Sequence, residues 1–148
     1  MNDKYIVYFI SKTKKKMTRF IEKALKEKGL DDLVASYGNI LTVLYNNNSN
    51  NNEKLSMKEI GDLIGKDKST ITALVNKLSK LGYVKKENCI KDRRVTYIIL
   101  TEKGNSIEEK VNAISEKVNL IAYKNFSKEE KDIFLELLKR MNNNFDIE

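Results

Sequence analysis

The fold of this chain is decided by residues 55–104, which read LSMKEIGDLIGKDKSTITALVNKLSKLGYVKKENCIKDRRVTYIILTEKG. Near its start, Ser56 is followed three residues later by Glu59, the spacing of a capping box, which predicts a helix that begins at Met57. The apolar residues of this short segment recur at helical spacing, and Gly65 is placed to end the helix. The opening of the segment therefore predicts one short amphipathic helix.

A second helix is predicted directly after a short turn that contains Gly65. Asp67 is placed to cap this helix, which should begin at Lys68 and stop at Gly82. Its apolar residues form a single stripe at helical spacing, made of Ile71, Leu74, Val75, Leu78 and Leu81. Two short helices joined by a turn with a glycine form a helix-turn-helix, and the second of them would be the recognition helix.

The segment after the second helix predicts a β-hairpin with a basic tip. Residues 83–86 and 95–100 are rich in β-branched and aromatic side chains, which favours two strands. The polar segment between them, residues 88–94, ends in Asp92-Arg93-Arg94. Thr101 is placed to cap the next helix. A helix-turn-helix followed by a basic hairpin, or wing, is an arrangement suited to gripping duplex DNA.

The positive charge of the chain is concentrated in the same region. Residues 54–103 carry 12 Lys and Arg against 6 Asp and Glu, so they hold +6 of the net charge of +7. A localised basic surface indicates a polyanionic partner. Lysine-rich stretches are also common as solvated surface, but next to a helix-turn-helix and a wing they favour double-stranded DNA as the partner.

The composition excludes several classes of function. The 148 residues contain one Cys and no His, which excludes an intrachain disulfide framework, a Cys/His metal site and His-dependent catalysis. The sequence has no glycine-rich phosphate loop, so we expect neither an enzyme nor a cofactor or metal. No stretch is apolar for 18 residues and no signal-peptide pattern is present, so we expect a cytoplasmic protein without a membrane partner.

Two helices are predicted before the winged segment. Residues 5–28 form the first, with Gly29 at its end, and Asp31 and Asp32 are placed to start the second. Residues 46–52, six Asn and one Ser, predict a mobile loop after the second helix. The first helix also carries a basic run, which is either a solvated face or a surface that approaches DNA or a partner subunit, at Lys12, Lys14, Lys15, Lys16 and Arg19.

Two further helices are predicted after the wing. The first has an apolar seam in steps of four and three, made of Ile107, Val111, Ile114, Val118 and Ile121. Ser127 is placed to cap the last helix, whose apolar positions are Ile133, Phe134, Leu137, Leu138 and Met141. The seam fits an intrachain core and a dimer bundle equally well, and replacing Val111 or Val118 by Asp should split a dimer or unfold the chain.

The sequence thus predicts a mostly α fold with a small β hairpin, a winged helix-turn-helix flanked by N- and C-terminal dimerisation helices. We expect one domain over residues 1–148, with DNA binding in residues 54–103 and dimerisation through residues 1–30 and 104–148. The terminal helices carry more apolar surface than a single chain would readily cover. A symmetric dimer would present its two recognition helices about 34 Å apart, one turn of DNA, on a pseudo-palindromic site.

The chain resembles the MarR family of bacterial transcriptional regulators. The resemblance follows the element order of essentially the whole chain and is most specific at residues 65–72, GKDKSTIT, and from Asp92-Arg93-Arg94 to residues 100–104, LTEKG. It implies a homodimer joined by its first, fifth and sixth helices. It also implies that the recognition helix enters the major groove of DNA and that each wing contacts a flanking minor groove.

By position, the resemblance assigns roles to individual residues. The residues assigned to DNA binding are Lys68, Ser69, Thr70, Thr72, Ala73, Asn76, Lys77, Asp92, Arg93 and Arg94. Among these, the hydroxyl and amide side chains of the recognition helix would face the bases, two lysines would contact phosphates, and Arg94 would enter the minor groove, oriented by Asp92. In the alternative interpretation, Ser69 and Thr70 serve only as capping residues. Ala73 departs from the family, since many members carry a longer, often basic residue there.

Many members of the family are released from DNA by small, often phenolic ligands. The residues that could line such a pocket are Tyr5, Tyr8, Phe9, Phe20 and Tyr37, and the alternative is that they are ordinary core and interface aromatics. Some members sense oxidants through a Cys in the first helix, whereas Cys89 lies in the wing. Two functions therefore stand: a dimeric, sequence-specific regulator, more readily a repressor than an activator, or a winged-helix module that binds proteins instead of DNA.

Overall fold

The computed structural model describes residues 3–50 and 53–147. The chain divides into two compact units, Met1–Ser115 and Glu116–Glu148. The described residues are mostly helical and include one small antiparallel sheet, which confirms the fold class predicted from the sequence. Across these residues, each helix is too short or too polar to span a lipid bilayer.

The elements follow the predicted order, with a 3-10 turn before the first helix. In chain order they are α1 (Ile6–Glu27), α2 (Ala35–Asn50), β1 (Leu55–Ser56), α3 (Met57–Ile64), α4 (Lys68–Lys80), β2 (Val84–Asn88), β3 (Thr96–Leu100), α5 (Glu102–Ser106), α6 (Glu108–Ala122) and α7 (Lys128–Asn143).

The helix-turn-helix forms through the caps that the sequence predicts. The Ser56 hydroxyl accepts a hydrogen bond from the Glu59 backbone N–H, and the Glu59 carboxylate accepts one from the Ser56 N–H, which completes the capping box of α3. Gly65 ends α3 in the left-handed region, at φ 69°. Asp67 then caps α4 by accepting a hydrogen bond from the Thr70 N–H at 2.8 Å.

The wing belongs to a three-stranded sheet with the strand order β1-β3-β2. Strands β2 and β3 pair antiparallel from Val84 opposite Leu100 to Asn88 opposite Thr96, which confirms the predicted hairpin. The two-residue strand β1 was not predicted, and it pairs with β3 on the other side. The start of α3 is thereby fastened to the inner strand of the wing.

The core of the first unit lies between α2, the helix-turn-helix and the sheet. Its most deeply buried side chains come from all of these elements and are Ile40, Leu41, Tyr45, Ile60, Ile71, Val75, Leu78, Tyr83, Val84 and Ile98. The first part of the predicted apolar seam, through Val111 and Ile114, is buried as well. Val118 is half-buried and Ile121 is exposed, so the seam is divided between core and surface.

Helix α2 differs from the prediction at both ends. It starts at Ala35, not at Asp31, because Leu30 and Leu33 are buried in the turn that precedes it. It also continues through residues 46–50, where a mobile loop was expected; Asn51 and Asn52 lie outside the described residues. Extending an existing helix adds one hydrogen bond per residue, while each Asn costs only about 0.7 kcal/mol relative to Ala.

A single helix was expected from Thr101 through the apolar seam, and the structure divides it in two. The Thr101 hydroxyl accepts a hydrogen bond from the Gly104 N–H and caps α5, as predicted. Helix α5 then ends after five residues, and the buried Ile107 separates it from α6. In the second unit, the Ser127 hydroxyl caps α7 by accepting from the Glu130 N–H, which confirms the predicted start of the last helix.

Candidate functional site

Helix α4 turns one face to the core and one to solvent. Ile71, Val75 and Leu78 are buried, which fixes the rotation of the helix about its axis. The opposite face carries polar, small and basic side chains that are all exposed, namely Lys68, Ser69, Ala73, Asn76, Lys77 and Lys80. This face presents hydrogen-bonding groups and positive charge to any partner that lies along α4.

The three hydroxyl residues that were predicted to face bases, Ser69, Thr70 and Thr72, form hydrogen bonds near the start of α4. The Ser69 hydroxyl donates to the Asp67 carboxylate at 3.0 Å, and the Thr72 hydroxyl donates to the Lys68 carbonyl oxygen at 2.7 Å. The hydrogen bond from the Thr70 N–H, followed by that from Ser69, holds the pKa of the Asp67 carboxyl below its usual value. Ser69 thus takes part in the cap, and each hydroxyl keeps lone pairs that can accept from a base.

Asn76 and Lys86 connect the exposed face of α4 to the wing. The Lys86 ammonium on β2 donates to the Asn76 side-chain oxygen at 2.5 Å, and both side chains are exposed. The prediction included Asn76 but omitted Lys86. Nothing in the linear sequence pairs a helix residue with a strand residue ten positions later, although a lysine on a wing strand is itself a signal for a DNA contact.

The wing carries a preformed pair of charged side chains. The Arg94 guanidinium donates to the Asp92 carboxylate through Nε at 3.1 Å and through a terminal nitrogen at 3.2 Å. These contacts hold the pKa of the Asp92 carboxyl below its usual value. The Arg94 side chain is nevertheless 90% exposed, so its charge stays available at the surface of the wing.

The tip of the wing combines positive charge with one apolar side chain. Ile90 is fully exposed, and Lys91 and Arg93 beside it are exposed as well. Sequence analysis assigned no role to Ile90, because a single aliphatic residue in a polar loop carries no periodic signal. Its exposure adds apolar surface to the loop between β2 and β3.

Comparison with known proteins relates this geometry to a family. The sequence profile of the MarR family matches residues 31–95, which include α2, the helix-turn-helix and the wing. Over these residues, the chain is similar to the MarR family. The HTH-type transcriptional regulator SarZ of Staphylococcus haemolyticus is 34% identical over 99 residues. That match spans 65% of this chain and 65% of the length of the relative.

Comparison with solved structures shows a likeness in fold over nearly the full length of the chain. A MarR protein from Peptoclostridium difficile has a TM-score of 0.81 at 24% identity, over 97% of this chain and 89% of that one. The MepR–DNA complex of S. aureus has a TM-score of 0.81 at 19% identity, over 98% and 99%. These values establish a shared fold.

The base of the wing, where β2 begins and β3 leads into α5, is anchored from two sides. The Tyr83 hydroxyl donates to the Asp32 carboxylate at 2.9 Å, and the Lys103 ammonium lies 4.4 Å from the centroid of the Tyr83 ring. Burial, followed by the hydrogen bond to Asp32, raises the pKa of Tyr83 to about 12. The Tyr45 hydroxyl donates to the Gly104 carbonyl oxygen at 2.7 Å. The hairpin is therefore fixed to α2 and to the turn before it.

The aromatic residues that the MarR resemblance assigned to a ligand pocket lie on α1, α2 and the turn before α1. Tyr5, Tyr8 and Phe9 are exposed and pack edge-to-face, with ring centroids 6.5 and 5.3 Å apart, while Phe20 and Tyr37 are half-buried. A cavity of about 520 Å³ lies elsewhere, between α3, the start of α4 and β3. Its lining includes Lys58, Lys66, Lys68 and Arg94 but none of the five aromatics. Ligand binding by these aromatics stays a prediction.

Proposed function

We propose that this chain is a DNA-binding transcriptional regulator. The observation that carries the proposal is the exposed polar and basic face of α4 next to the exposed Arg94 of the wing. An α-helix fits the major groove, and an arginine suits a narrow, electronegative minor groove. The relatives named above are a transcriptional regulator and a protein solved as a DNA complex, which agrees with this function.

The residues divide by chemistry into three roles. Lys68 and Lys77 supply charge for phosphates. The side chains that face base edges are Ser69, Thr70, Thr72, Ala73 and Asn76. In the wing, Arg94 enters the minor groove, Asp92 holds its guanidinium, and Arg93 adds charge near the phosphates. Ala73 can contact a thymine methyl group but cannot form a hydrogen bond with a base.

The regulator acts as a homodimer in this proposal. Support comes from the exposed apolar side chains of α1, of the turn before it and of α7. In α1 and the preceding turn they are Tyr5, Ile6, Val7, Tyr8, Phe9 and Ile10. In α7 they are Ile133, Phe134, Leu135, Leu137 and Leu138. Contiguous apolar surface of this kind favours a protein interface. A twofold dimer would match a pseudo-palindromic operator in the cytoplasm and repress by obstructing the polymerase.

The experiment that tests the function is fluorescence anisotropy with two duplexes at about 150 mM salt. One duplex is the DNA upstream of the protein's own gene, and the other is a shuffled duplex of equal composition. We expect a preference of about 10³-fold or more. A dimer that contacts about 8 to 10 phosphates should show a log–log salt slope near −7 to −9.

Two results would contradict the proposal in different ways. Equal, weak binding to both duplexes leads to selection from random DNA, and failure to enrich any motif would contradict sequence-specific regulation. Absence of binding even at low salt would favour the alternative, a winged-helix module that binds proteins. If binding is specific, transcription in vitro from the bound promoter separates repression from activation.

A further inference from the structure

The contact between Asn76 and Lys86 fixes which atoms the recognition helix offers to DNA. Asn76 lies on the exposed face of α4, one turn after Thr72 and Ala73. Lys86 lies on β2, and its ammonium reaches the side-chain oxygen of Asn76 at 2.5 Å. A lysine of the wing thus donates a hydrogen bond to the side-chain oxygen of an asparagine on α4.

The chemistry of the two side chains allows only one orientation of the amide. An ammonium group has three donors and no acceptor, whereas an amide side chain has an acceptor oxygen and a donor NH₂ group. The atom of Asn76 that faces Lys86 must therefore be the oxygen. The NH₂ group points away from Lys86, and it is the part of Asn76 that lies away from the positive charge of the ammonium.

The backbone positions of Asn76 and Lys86 are set by buried neighbours. Lys86 pairs with the buried Ile98 in the ladder between β2 and β3, which fixes its position in the strand. Asn76 follows Val75, which is buried, so the rotation of α4 fixes the direction in which Asn76 leaves the helix. The alignment of helix and strand places the two backbones so that the Lys86 ammonium can reach Asn76.

We propose that Lys86 is a specificity-determining residue because it takes up the acceptor of Asn76 and leaves the recognition helix with a donor at this position. This inference rests on the proposed DNA-binding function. Adenine is normally read by Asn through two hydrogen bonds, one of which needs the amide oxygen to accept from the N6 amino group. The oxygen keeps a second lone pair, but the Lys86 ammonium beside it repels the partly positive N6 amino group of adenine. Asn76 therefore favours guanine, whose N7 and O6 atoms are both acceptors.

The test is selection of bound sequences from a random duplex library by four proteins. These are the wild type, Lys86→Met, Lys85→Met and Asn76→Ala. Methionine removes the charge but keeps an unbranched apolar stem, and Lys85 is an exposed neighbour on the same strand, so Lys85→Met is the matched control. We expect the wild type to favour guanine at one base pair in each half-site.

Lys86→Met should shift that preference towards adenine by about tenfold or more, because the freed oxygen completes the bidentate contact. Lys85→Met should bind all DNA sequences more weakly, because one positive charge is removed, but it should keep the wild-type preference for guanine. Asn76→Ala should remove the preference at the same base pair. The proposal is overturned if Lys86→Met selects the wild-type motif, or if Asn76→Ala leaves the guanine preference intact.

A measurement without DNA separates this inference from the proposed function. In the free protein, the side-chain carbonyl carbon of Asn76 should change its NMR chemical shift in Lys86→Met and keep it in Lys85→Met. An unchanged shift in Lys86→Met would show that Lys86 does not hold the amide, whatever the protein binds. If the shift changes but selection yields no motif from the wild type, the proposed function fails while the contact stands.

Discussion

The carboxylate of Asp92 holds the guanidinium of Arg94 at two nitrogens, with donor–acceptor distances of 3.1 and 3.2 Å. The same carboxylate also accepts a hydrogen bond from the Arg94 backbone N–H at 3.0 Å. Paired contacts of this kind fix the plane of a guanidinium as well as its position. Arg94 is therefore oriented in the free protein, and in the proposed complex with DNA this would lower the entropy lost on binding.

The first prediction separates orientation from charge. Asp92→Asn removes one negative charge near DNA, so charge alone would strengthen binding. We expect the opposite: Asp92→Asn should weaken DNA binding by about 1 kcal/mol, because Arg94 loses the partner that orients it. The effects of substituting Asp92 and Arg94 should therefore be non-additive, with a coupling energy of about 1 kcal/mol. Anisotropy titrations of Asp92→Asn, Arg94→Ala and the double variant measure this coupling. Arg93→Ala is the control, since it removes charge from the same tip and leaves the pair in place.

Additive effects of the two substitutions, or tighter binding by Asp92→Asn, would show that Asp92 does not act through Arg94. Arg94→Ala alone should weaken binding most on operators with A·T-rich flanks, where the minor groove is narrow. Equal binding to such sites by Arg94→Ala and the wild type would remove Arg94 from the minor groove.

The second prediction concerns two glycines with opposite surroundings. A Cβ on Gly104 would lie 2.1 Å from the Tyr83 carbonyl oxygen, so Gly104→Ala must displace the backbone at the base of the wing. We expect the free energy of unfolding to fall by about 1–3 kcal/mol or more. Gly38→Ala is the control, because Gly38 lies within α2 and its added Cβ meets nothing within 4 Å. It should raise the free energy of unfolding by about 0.5–1 kcal/mol.

Urea denaturation at one fixed protein concentration measures both variants, since the proposed dimerisation would make stability depend on concentration. If Gly104→Ala is as stable as the wild type, the wing base is more adaptable than the close approach to Tyr83 implies. If Gly38→Ala lowers the free energy of unfolding, the space beside Gly38 on α2 must be filled by another part of the protein or by a second copy of the chain.

The local features of this fold could be predicted, while those that depend on distant contacts could not. Ser56, Asp67 and Thr101 cap helices through atoms three residues away, so their roles follow from spacing. Residues 46–50 favour a loop by composition, yet they continue a helix whose preceding residues are fixed in the core. Strand β1 has only two residues and forms by pairing with β3, more than 40 positions later.

In the candidate site, too, local features could be predicted from the sequence, and contacts between distant residues could not. The exposed face of α4 and the Asp92–Arg94 pair were predictable, because helical periodicity and a separation of two residues are visible in the sequence. The partner of Asn76 was not, because Lys86 meets it only after the wing has folded beside α4. The anchoring of Tyr83 by Asp32 was missed for the same reason, since 51 positions separate the two residues.

The third prediction separates the core from the proposed dimer interface. Val111 is buried and Val7 is exposed on α1, although both are apolar residues of predicted dimerisation segments. Val111→Asp buries an unpaired charge and should unfold the chain. Val7→Asp should leave the helical content unchanged and convert the dimer to a monomer. Circular dichroism and sedimentation equilibrium measure the two outcomes. Lys23→Asp controls for the added acid, because Lys23 is exposed on α1 outside the basic run.

A folded, fully dimeric Val7→Asp would remove this part of α1 from the interface. In that case the exposed apolar face of α7 is tested next with Leu137→Asp. If the wild type is itself a monomer at micromolar concentration, the dimer proposal fails.

The fourth prediction concerns the thiol of Cys89, which lies at the start of the loop between β2 and β3. Backbone N–H groups of Asp92 and Lys91, followed by the Tyr97 hydroxyl, lower its pKa from the usual value of 9.0. The Tyr97 hydroxyl oxygen lies 3.8 Å from the Cys89 sulfur, and the same contact raises the pKa of Tyr97. Because donors stabilise the thiolate, Cys89 should ionise at a lower pH in the folded protein than in the unfolded chain.

The rate of alkylation by iodoacetamide, measured against pH, follows the thiolate fraction and so reports this pKa. The inflection for the native protein should lie below that of the urea-unfolded chain, and Tyr97→Phe should move it upwards because one donor is lost. Since the folded pKa is the lower one, the stabilisation is complete above the unfolded pKa and is lost as the pH falls through the folded value. Tyr5→Phe, on a tyrosine at the start of the chain, should leave the inflection in place. An inflection that does not move in Tyr97→Phe would leave the two backbone N–H groups as the whole cause of the lowered pKa.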